Sequence, residues 1–172
     1  ILKMGFAGLR DRARKQLETT SDPDSQEFLK AVTAAYDAAC SYVHKVALYA
    51  TELAENEDNP RRRAELKQIA AVSEELAVAP PSSFHAALQL VQFTRIFGAS
   101  GCIGRFDQWM YPFYERDIID GILTREEAQE LLECFFIKVN EFPIAGIVDF
   151  PTKYCVWPRT ADKGLFRNDN MR

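Results

Sequence analysis

The sequence is most distinctive at Gly104-Arg105-Phe106-Asp107-Gln108-Trp109-Met110-Tyr111-Pro112-Phe113-Tyr114, where a glycine, an Arg/Asp pair, an amide and several aromatic side chains follow closely. Asp107 can cap a helix that carries the aromatic residues, with Pro112 tolerated only near its start. Arg105 and Asp107 are predicted to be partly buried there, and each would then need the other as partner, because an unpaired buried charge is costly. The pattern predicts a brace between a glycine loop and a helix, in preference to a catalytic group.

The segments around this stretch are predicted to be helical, because capping signals recur along the chain. Asp22-Pro23 and Asn59-Pro60 each combine a capping side chain with a proline at the first helical position. Ser82 or Ser83 can cap a further helix, and Thr124–Glu127 is a capping box that opens the last one. We therefore expect a mainly α structure.

The helix after Pro23 is predicted to be long, with a narrow and alanine-rich buried stripe. No glycine or proline interrupts it before Pro60. Its apolar residues recur at helical spacing and are Phe28, Val32, Ala35, Tyr36, Ala39, Val43, Val46, Ala50 and Leu53.

The chain divides into a helical portion, residues 1–141, and an irregular tail, residues 142–172. The tail contains Pro143, Pro151 and Pro158 and short β-friendly runs. It is predicted to hold at most one or two short strands.

Composition excludes several classes of protein. With 21 Lys+Arg, 25 Asp+Glu and a net charge of −4, the 172-residue chain has no basic excess for nucleic acid. No apolar run approaches the roughly 18 residues of a membrane span, and Ile1–Lys15 has no secretory h-region. The start at Ile1 suggests a piece of a longer protein. The spacing of the four cysteines and two histidines fits no metal site; these residues are Cys40, Cys102, Cys134, Cys155, His44 and His85. The cysteines are therefore expected to be free thiols in a reducing cytoplasm.

The run Phe97–Gly104 is rich in glycine and is the most permissive backbone in the chain. It contains neither GxxxxGK[ST] nor GxGxxG, so no phosphate loop is predicted.

Taken in order, these elements resemble the glycyl radical enzymes of the pyruvate formate-lyase type, in the branch of dehydratases, decarboxylases and carbon–nitrogen lyases. The strongest match is Gly104–Gln108, followed by Tyr111-Pro112, Tyr114 and Asp117. The resemblance extends from Gly5 to Glu141. Further matching segments are Gly8-Leu9-Arg10, Arg62–Ala70, Pro80–Gln89, Gly121–Thr124, Ala128–Leu132 and Ile137–Glu141. This sequence has Ser73 and Ala86 where the family often has Cys and Glu.

The resemblance implies that these helices form part of the outer layer of a large ten-stranded α/β barrel. The glycine-rich run would lead towards the barrel interior, where Ser100 and Cys102 are candidates to contact substrate. Arg105, Asp107 and Gln108 would brace the pocket wall. The alternative is that the glycines only allow tight packing.

Family chemistry implies a backbone glycyl radical in an Arg-Val-x-Gly-Tyr motif and a thiyl cysteine in a Gly-Cys-x-Glu motif. The sequence contains no Arg-Val-x-Gly-Tyr motif. It contains no Gly-Cys-x-Glu motif either, because the residues two positions after the four cysteines are Tyr, Gly, Phe and Trp. The chain is therefore expected to be inactive alone, with no catalytic residue, metal ligand or cofactor of its own. The implied partners are a small polar substrate, a radical S-adenosylmethionine activating enzyme and, at full length, a second copy.

A second hypothesis is a stand-alone helical interaction module without catalysis. It predicts a closed polar surface, whereas an enzyme fragment predicts a large exposed apolar face.

Overall fold

Six α-helices make up the parts of the chain that the computed structural model describes, residues 1–97 and 103–141. No strand occurs within these two ranges, so the mainly α prediction is confirmed. The strands predicted within 142–172 lie outside the described residues. In chain order the helices are α1 (Gly5–Thr19), α2 (Pro23–Glu55), α3 (Pro60–Val78), α4 (Phe84–Ile96), α5 (Phe106–Ile119) and α6 (Arg125–Glu141).

The predicted capping signals set the starts of four helices. The Asp22 side chain accepts the Ser25 N–H at 2.9 Å. The Asn59 side chain accepts the Arg61 N–H at 3.0 Å, and the Ser83 hydroxyl accepts the Ala86 N–H at 3.1 Å. These contacts satisfy backbone N–H groups of the first helical turn that have no partner within the helix. The starts of these helices could therefore be predicted from the capping residues.

The capping box before α6 is reciprocal, as predicted. The Thr124 N–H and hydroxyl donate to the Glu127 carboxylate, both at 2.8 Å, while the Glu127 N–H donates to the Thr124 hydroxyl at 3.2 Å.

The start of α5 differs from the prediction. Arg105, and not Asp107, is the N-cap residue, and its carbonyl accepts the Gln108 N–H at 3.1 Å. Gly104 has φ +68°, so the chain turns there and the helix begins before Asp107 is reached. Pro112 lies inside α5 and not near its start. Its side chain is exposed, so the ring does not displace core residues.

The first hydrophobic core, formed by α1–α4, confirms that the stripe on α2 is narrow and alanine-rich. Its fully buried members include Val43, Leu76 and Leu90. The buried residues of α2 are Ala39, Cys40, Val43, Ala47, Ala50 and Ala54. Phe28 and Leu53 are 67% and 40% exposed, so their assignment to this stripe is wrong. The buried residues of α2 begin at Ala39, so Phe28 precedes the covered part of the helix. Leu53 lies about 80° around the helix from Val43, at the edge of the buried stripe.

The second hydrophobic core lies on another face of α4, against α5 and α6. It contains Phe84, Leu88, Met110, Ala128 and Phe135. Since α4 contributes to both cores, it is the central helix of the described part. None of the described helices combines the length and the hydropathy needed to cross a bilayer.

Candidate functional site

The C-terminal end of α5 is fixed by a buried carboxylate, Asp117, which is only 2% exposed. One oxygen accepts the N–H of Phe84, the first residue of α4, at 2.6 Å. The other accepts Nε and Nη2 of Arg116 at 3.0 and 2.8 Å. Arg116 Nη2 also donates to the Ser82 carbonyl. A negative charge at a helix N-terminus is favourable, so Asp117 stabilises the start of α4 and joins α4 to α5.

The backbone of Asp117 also organises the turn into α6. Its carbonyl accepts the N–H groups of Ile122 at 2.9 Å and Leu123 at 3.1 Å. Gly121, with φ +67°, provides the left-handed conformation that the turn requires. One residue therefore connects α4, α5 and the start of α6.

Sequence reasoning did not assign a role to Asp117. The local signal is an Asp in the last turns of a helix beside Phe113, Tyr114 and Ile118, where a charge on an apolar side needs a partner. The partner is a backbone N–H that lies 33 residues away in sequence, and no local pattern identifies it.

The N-terminal end of α5 presents Arg105, Asp107 and Gln108 to solvent. No ion pair joins Arg105 to Asp107 within the described ranges, and both side chains are exposed. The prediction that this pair is partly buried is therefore wrong for the described part of the chain. Phe106 and Trp109 occupy the inward positions of this turn instead. The bracing role of the three polar residues stays a prediction.

An aromatic cluster beneath these polar residues holds the first turn of α5 against α6. The Phe106 ring centroid lies 5.0 Å from Trp109, 5.3 Å from Phe135 and 5.5 Å from Phe136. Phe135 stacks on Phe106 and is buried, as is Met110, so the inward side of this part of α5 belongs to the second hydrophobic core. Tyr111, in contrast, is 54% exposed. The exposed polar side chains thus stand on a well-packed turn.

Two polar residues of α4, His85 and Arg95, are half-buried and incompletely paired. Burial lowers the pKa of both side chains, because it disfavours their charged forms. Arg95 Nη2 donates to the Val139 carbonyl at 3.2 Å, which joins α4 to α6, but its Nε has no hydrogen-bond partner among residues 1–97 and 103–141. His85 Nδ1 likewise has no hydrogen-bond partner in the described part of the chain. His85 is thus a packed histidine, and its burial favours the neutral imidazole by lowering the pKa.

His44 is a surface residue that bridges two helices. Its Nδ1 lies 2.9 Å from a carboxylate oxygen of Glu74, and both side chains are about half exposed. Within residues 1–97 and 103–141, no three His, Cys, Asp or Glu side chains converge on a metal position. Ser100 and Cys102, the predicted substrate contacts, lie outside the described residues.

A family model described as pyruvate formate lyase-like matches residues 1–146. The chain belongs to this family of glycyl radical enzymes. It is 36% identical over 151 residues to a (2S)-3-sulfopropanediol dehydratase of Klebsiella oxytoca, covering 81% of this chain and 18% of that protein. It is 35% identical to an isethionate sulfite-lyase of Oleidesulfovibrio alaskensis, covering 83% of this chain and 19% of that enzyme.

A solved structure has the same arrangement of helices. The glycerol-bound, B12-independent glycerol dehydratase from Clostridium butyricum superposes with a TM-score of 0.73 and 38% identity, covering 81% of this chain and 19% of that one. The family predicted from the resemblance is thus confirmed. The chain spans about a fifth of the length of these relatives, so its helices correspond to one part of a much longer enzyme fold.

Proposed function

We propose that this chain is part of a glycyl radical lyase that acts by radical chemistry on a small polar organic substrate. The observation that carries the proposal is its 36% and 35% identity to a dehydratase and a sulfite-lyase, over more than four fifths of its length. The names of these relatives include a diol and a sulfonate. Dehydration or a related elimination is therefore the reaction type that we favour.

In this proposal, Arg105, Asp107 and Gln108 brace the wall of the substrate pocket in the complete enzyme. Their exposure supports the role, because polar side chains that form no ion pair with the described residues are available to groups outside this part. The packing of Phe106 on Phe135 supports it too, since a brace needs a rigid base. Ser100 and Cys102 would contact the substrate from the adjoining segment.

The radical itself would come from the rest of the enzyme. This sequence contains neither the Gly-Cys-x-Glu nor the Arg-Val-x-Gly-Tyr motif that the family chemistry requires. Hydrogen abstraction works only between groups in contact, so residues 1–172 would supply binding and positioning and not the reacting sulfur. A radical S-adenosylmethionine enzyme would install the radical.

The first experiment uses the 172-residue chain alone. We incubate it anaerobically with the activating enzyme of the Klebsiella oxytoca relative and S-adenosylmethionine, and then with a panel of small diols and hydroxysulfonates. We expect no glycyl radical signal in electron paramagnetic resonance and no product. Turnover by the chain alone would contradict the proposal.

The second experiment tests the positive half of the proposal with a chimera. Residues 1–141 of this chain replace the matching segment of the Klebsiella oxytoca (2S)-3-sulfopropanediol dehydratase. We expect a folded protein that forms the radical and converts at least one member of the panel. A folded, radical-bearing chimera that converts none of them would support the alternative of a helical interaction module.

A further inference from the structure

Two neighbouring side chains near the C-terminal end of α4, Gln92 and Arg95, have buried polar atoms that lack hydrogen-bond partners. The atoms are Gln92 Oε1 and Arg95 Nε, and neither has a partner among residues 1–97 and 103–141. The two residues are three positions apart on the helix, so their side chains are neighbours on its surface. A buried polar atom without a partner costs free energy, so we expect both atoms to be paired in the complete enzyme.

The missing partner of Arg95 must be an acceptor, as a comparison with two other half-buried arginines shows. Arg10 Nε donates to the Asp11 carboxylate at 2.8 Å, and Arg63 Nε donates to the Glu57 carbonyl at 2.9 Å. Arg95 Nε has no such acceptor, and no described carboxylate forms an ion pair with its guanidinium. An anion would be the strongest partner for this half-buried charge.

The ends of three helices meet at Arg95. Its Nη2 donates to the Val139 carbonyl at 3.2 Å, which places the C-terminal end of α4 beside the C-terminal end of α6. Phe106, the first residue of α5, stacks on Phe135 of α6 at a centroid distance of 5.3 Å. The start of α5 therefore lies at the same end of the α4–α6 unit as Arg95.

This end is also the one that carries the residues proposed to brace the pocket wall. Arg105, Asp107 and Gln108 belong to the start of α5 and are exposed there. His85, which also has a buried unpartnered nitrogen, lies in the first turn of α4. The seven residues between it and Gln92 span roughly 10 Å of helix, so His85 is not part of this group.

The two unpartnered atoms need complementary groups. Arg95 Nε carries a hydrogen to donate and a positive charge, whereas Gln92 Oε1 accepts a hydrogen. Neighbouring side chains at this spacing have Cβ atoms about 5–6 Å apart, a distance that a substrate of two or three carbon atoms can bridge. A molecule with an anionic group at one end and a hydroxyl at the other would satisfy both atoms.

We propose that Arg95 binds the anionic group of the substrate and that Gln92 accepts a hydrogen bond from its hydroxyl, so that the substrate class is a small hydroxysulfonate. This inference rests on the proposed function, because the remainder of the pocket must come from the rest of the enzyme. A neutral diol would pair with Gln92 and leave Arg95 without an anion. The two residues would therefore discriminate between substrates by charge.

The test measures substrate binding by the chimera before activation, so that it does not depend on radical chemistry. Isothermal titration calorimetry gives the dissociation constants of isethionate and of the neutral 1,2-propanediol. Arg95→Gln should weaken isethionate binding by about tenfold or more and change that of 1,2-propanediol by less than about threefold, because only isethionate is charged. Gln92→Leu should weaken the binding of both by about three- to tenfold, since both carry a hydroxyl.

Three further variants separate binding from folding and from net charge. Arg61→Gln removes the same charge from a side chain that is 77% exposed, and it should leave both dissociation constants within about twofold. Arg95→Lys keeps the charge and should recover part of the isethionate affinity that Arg95→Gln loses. In the 172-residue chain, Gln92→Leu should not lower the melting temperature, because it removes an acceptor that has no partner there.

Several results would overturn the inference. They are an unaltered chimera that does not bind isethionate, an Arg95→Gln chimera with unchanged isethionate affinity, and an equal loss of affinity for the two ligands. A lowered melting temperature with unchanged affinities would mean that Arg95 pairs with a carboxylate of the remaining enzyme, and it would overturn the inference too. A chimera that binds isethionate through Arg95 but turns over no substrate would contradict the proposed function and leave this inference intact.

Discussion

The two ends of α5 carry the same pair of residue types in opposite environments. At the C-terminal end, Arg116 and Asp117 are hydrogen-bonded to each other, and Asp117 is buried against the N-terminus of α4. At the N-terminal end, Arg105 and Asp107 are exposed and form no ion pair with each other in the described part of the chain. The first pair is required by the fold of this part. The second is not, which is the property expected of residues that serve a site shared with the rest of an enzyme.

The largest expected effect is on the C-terminal pair. Asp117→Ala should lower the free energy of unfolding by about 3 kcal/mol, because it leaves the buried Phe84 N–H and the Arg116 guanidinium without their acceptor. Urea denaturation of the chain measures this loss. The matched control is Asp107→Ala at the other end, which should stay within about 0.5 kcal/mol of the unaltered protein. Equal losses at the two positions would remove the contrast between the ends.

A smaller loss of stability should be common to the two ends of α5, because the glycine next to each end has nearly the same positive φ angle. Gly104 and Gly121 have φ +68° and +67°, and a Cβ added at either would meet no atom of the described residues within 4 Å. Gly104→Ala and Gly121→Ala should therefore each cost about 1 kcal/mol from the left-handed conformation alone. Thermal unfolding of the two variants compares them. A Gly104→Ala change without cost would mean that the turn before α5 is not needed for folding.

The smallest expected effect is the pH dependence at the start of α6. The Thr124 N–H and hydroxyl hold the pKa of Glu127 below its usual value by hydrogen bonding to the carboxylate. A lowered pKa adds stability that is present above the unfolded-state pKa and is lost as the pH falls through the folded-state pKa. Glu127→Gln should therefore flatten the decline of the melting temperature between roughly pH 6 and pH 3.

The control for Glu127 is its neighbour Glu126, whose carboxylate makes no hydrogen bond or ion pair with the described residues. Glu126→Gln should leave the acid limb of the profile unchanged. If both variants flatten the profile equally, net charge and not the capping box sets the pH dependence.

The sequence predicted those features that depend on neighbouring residues. Caps at Asp22, Asn59, Ser83 and Thr124 are short-range hydrogen bonds, so a few letters of sequence contain all the partners. The boundary before α5 was predicted less well, because Arg105 has no side-chain cap and the turn at Gly104 decides where the helix begins.

Features that depend on distant residues could not be predicted in this way. Whether an Arg/Asp pair is buried depends on which helix packs against it. The sequence predicted burial at Arg105 and Asp107, whereas the carboxylate that is buried in the structure belongs to Asp117. Phe28 fits the apolar periodicity of α2 but lies beyond the face that its neighbours cover. The family, in contrast, could be identified because an ordered series of short motifs does not require knowledge of the packing.

The difference between the two ends of α5 is tested most directly by turnover of the chimera with Arg105→Ala or Asp107→Ala. We expect both variants to keep the melting temperature and the glycyl radical yield of the unaltered chimera. Their kcat/KM should fall by about tenfold or more, since loss of a pocket brace weakens binding of the transition state. An unchanged kcat/KM in both variants would contradict a role for this end in the pocket. Loss of folding in either variant would contradict the assignment of structural support to the Asp117 end.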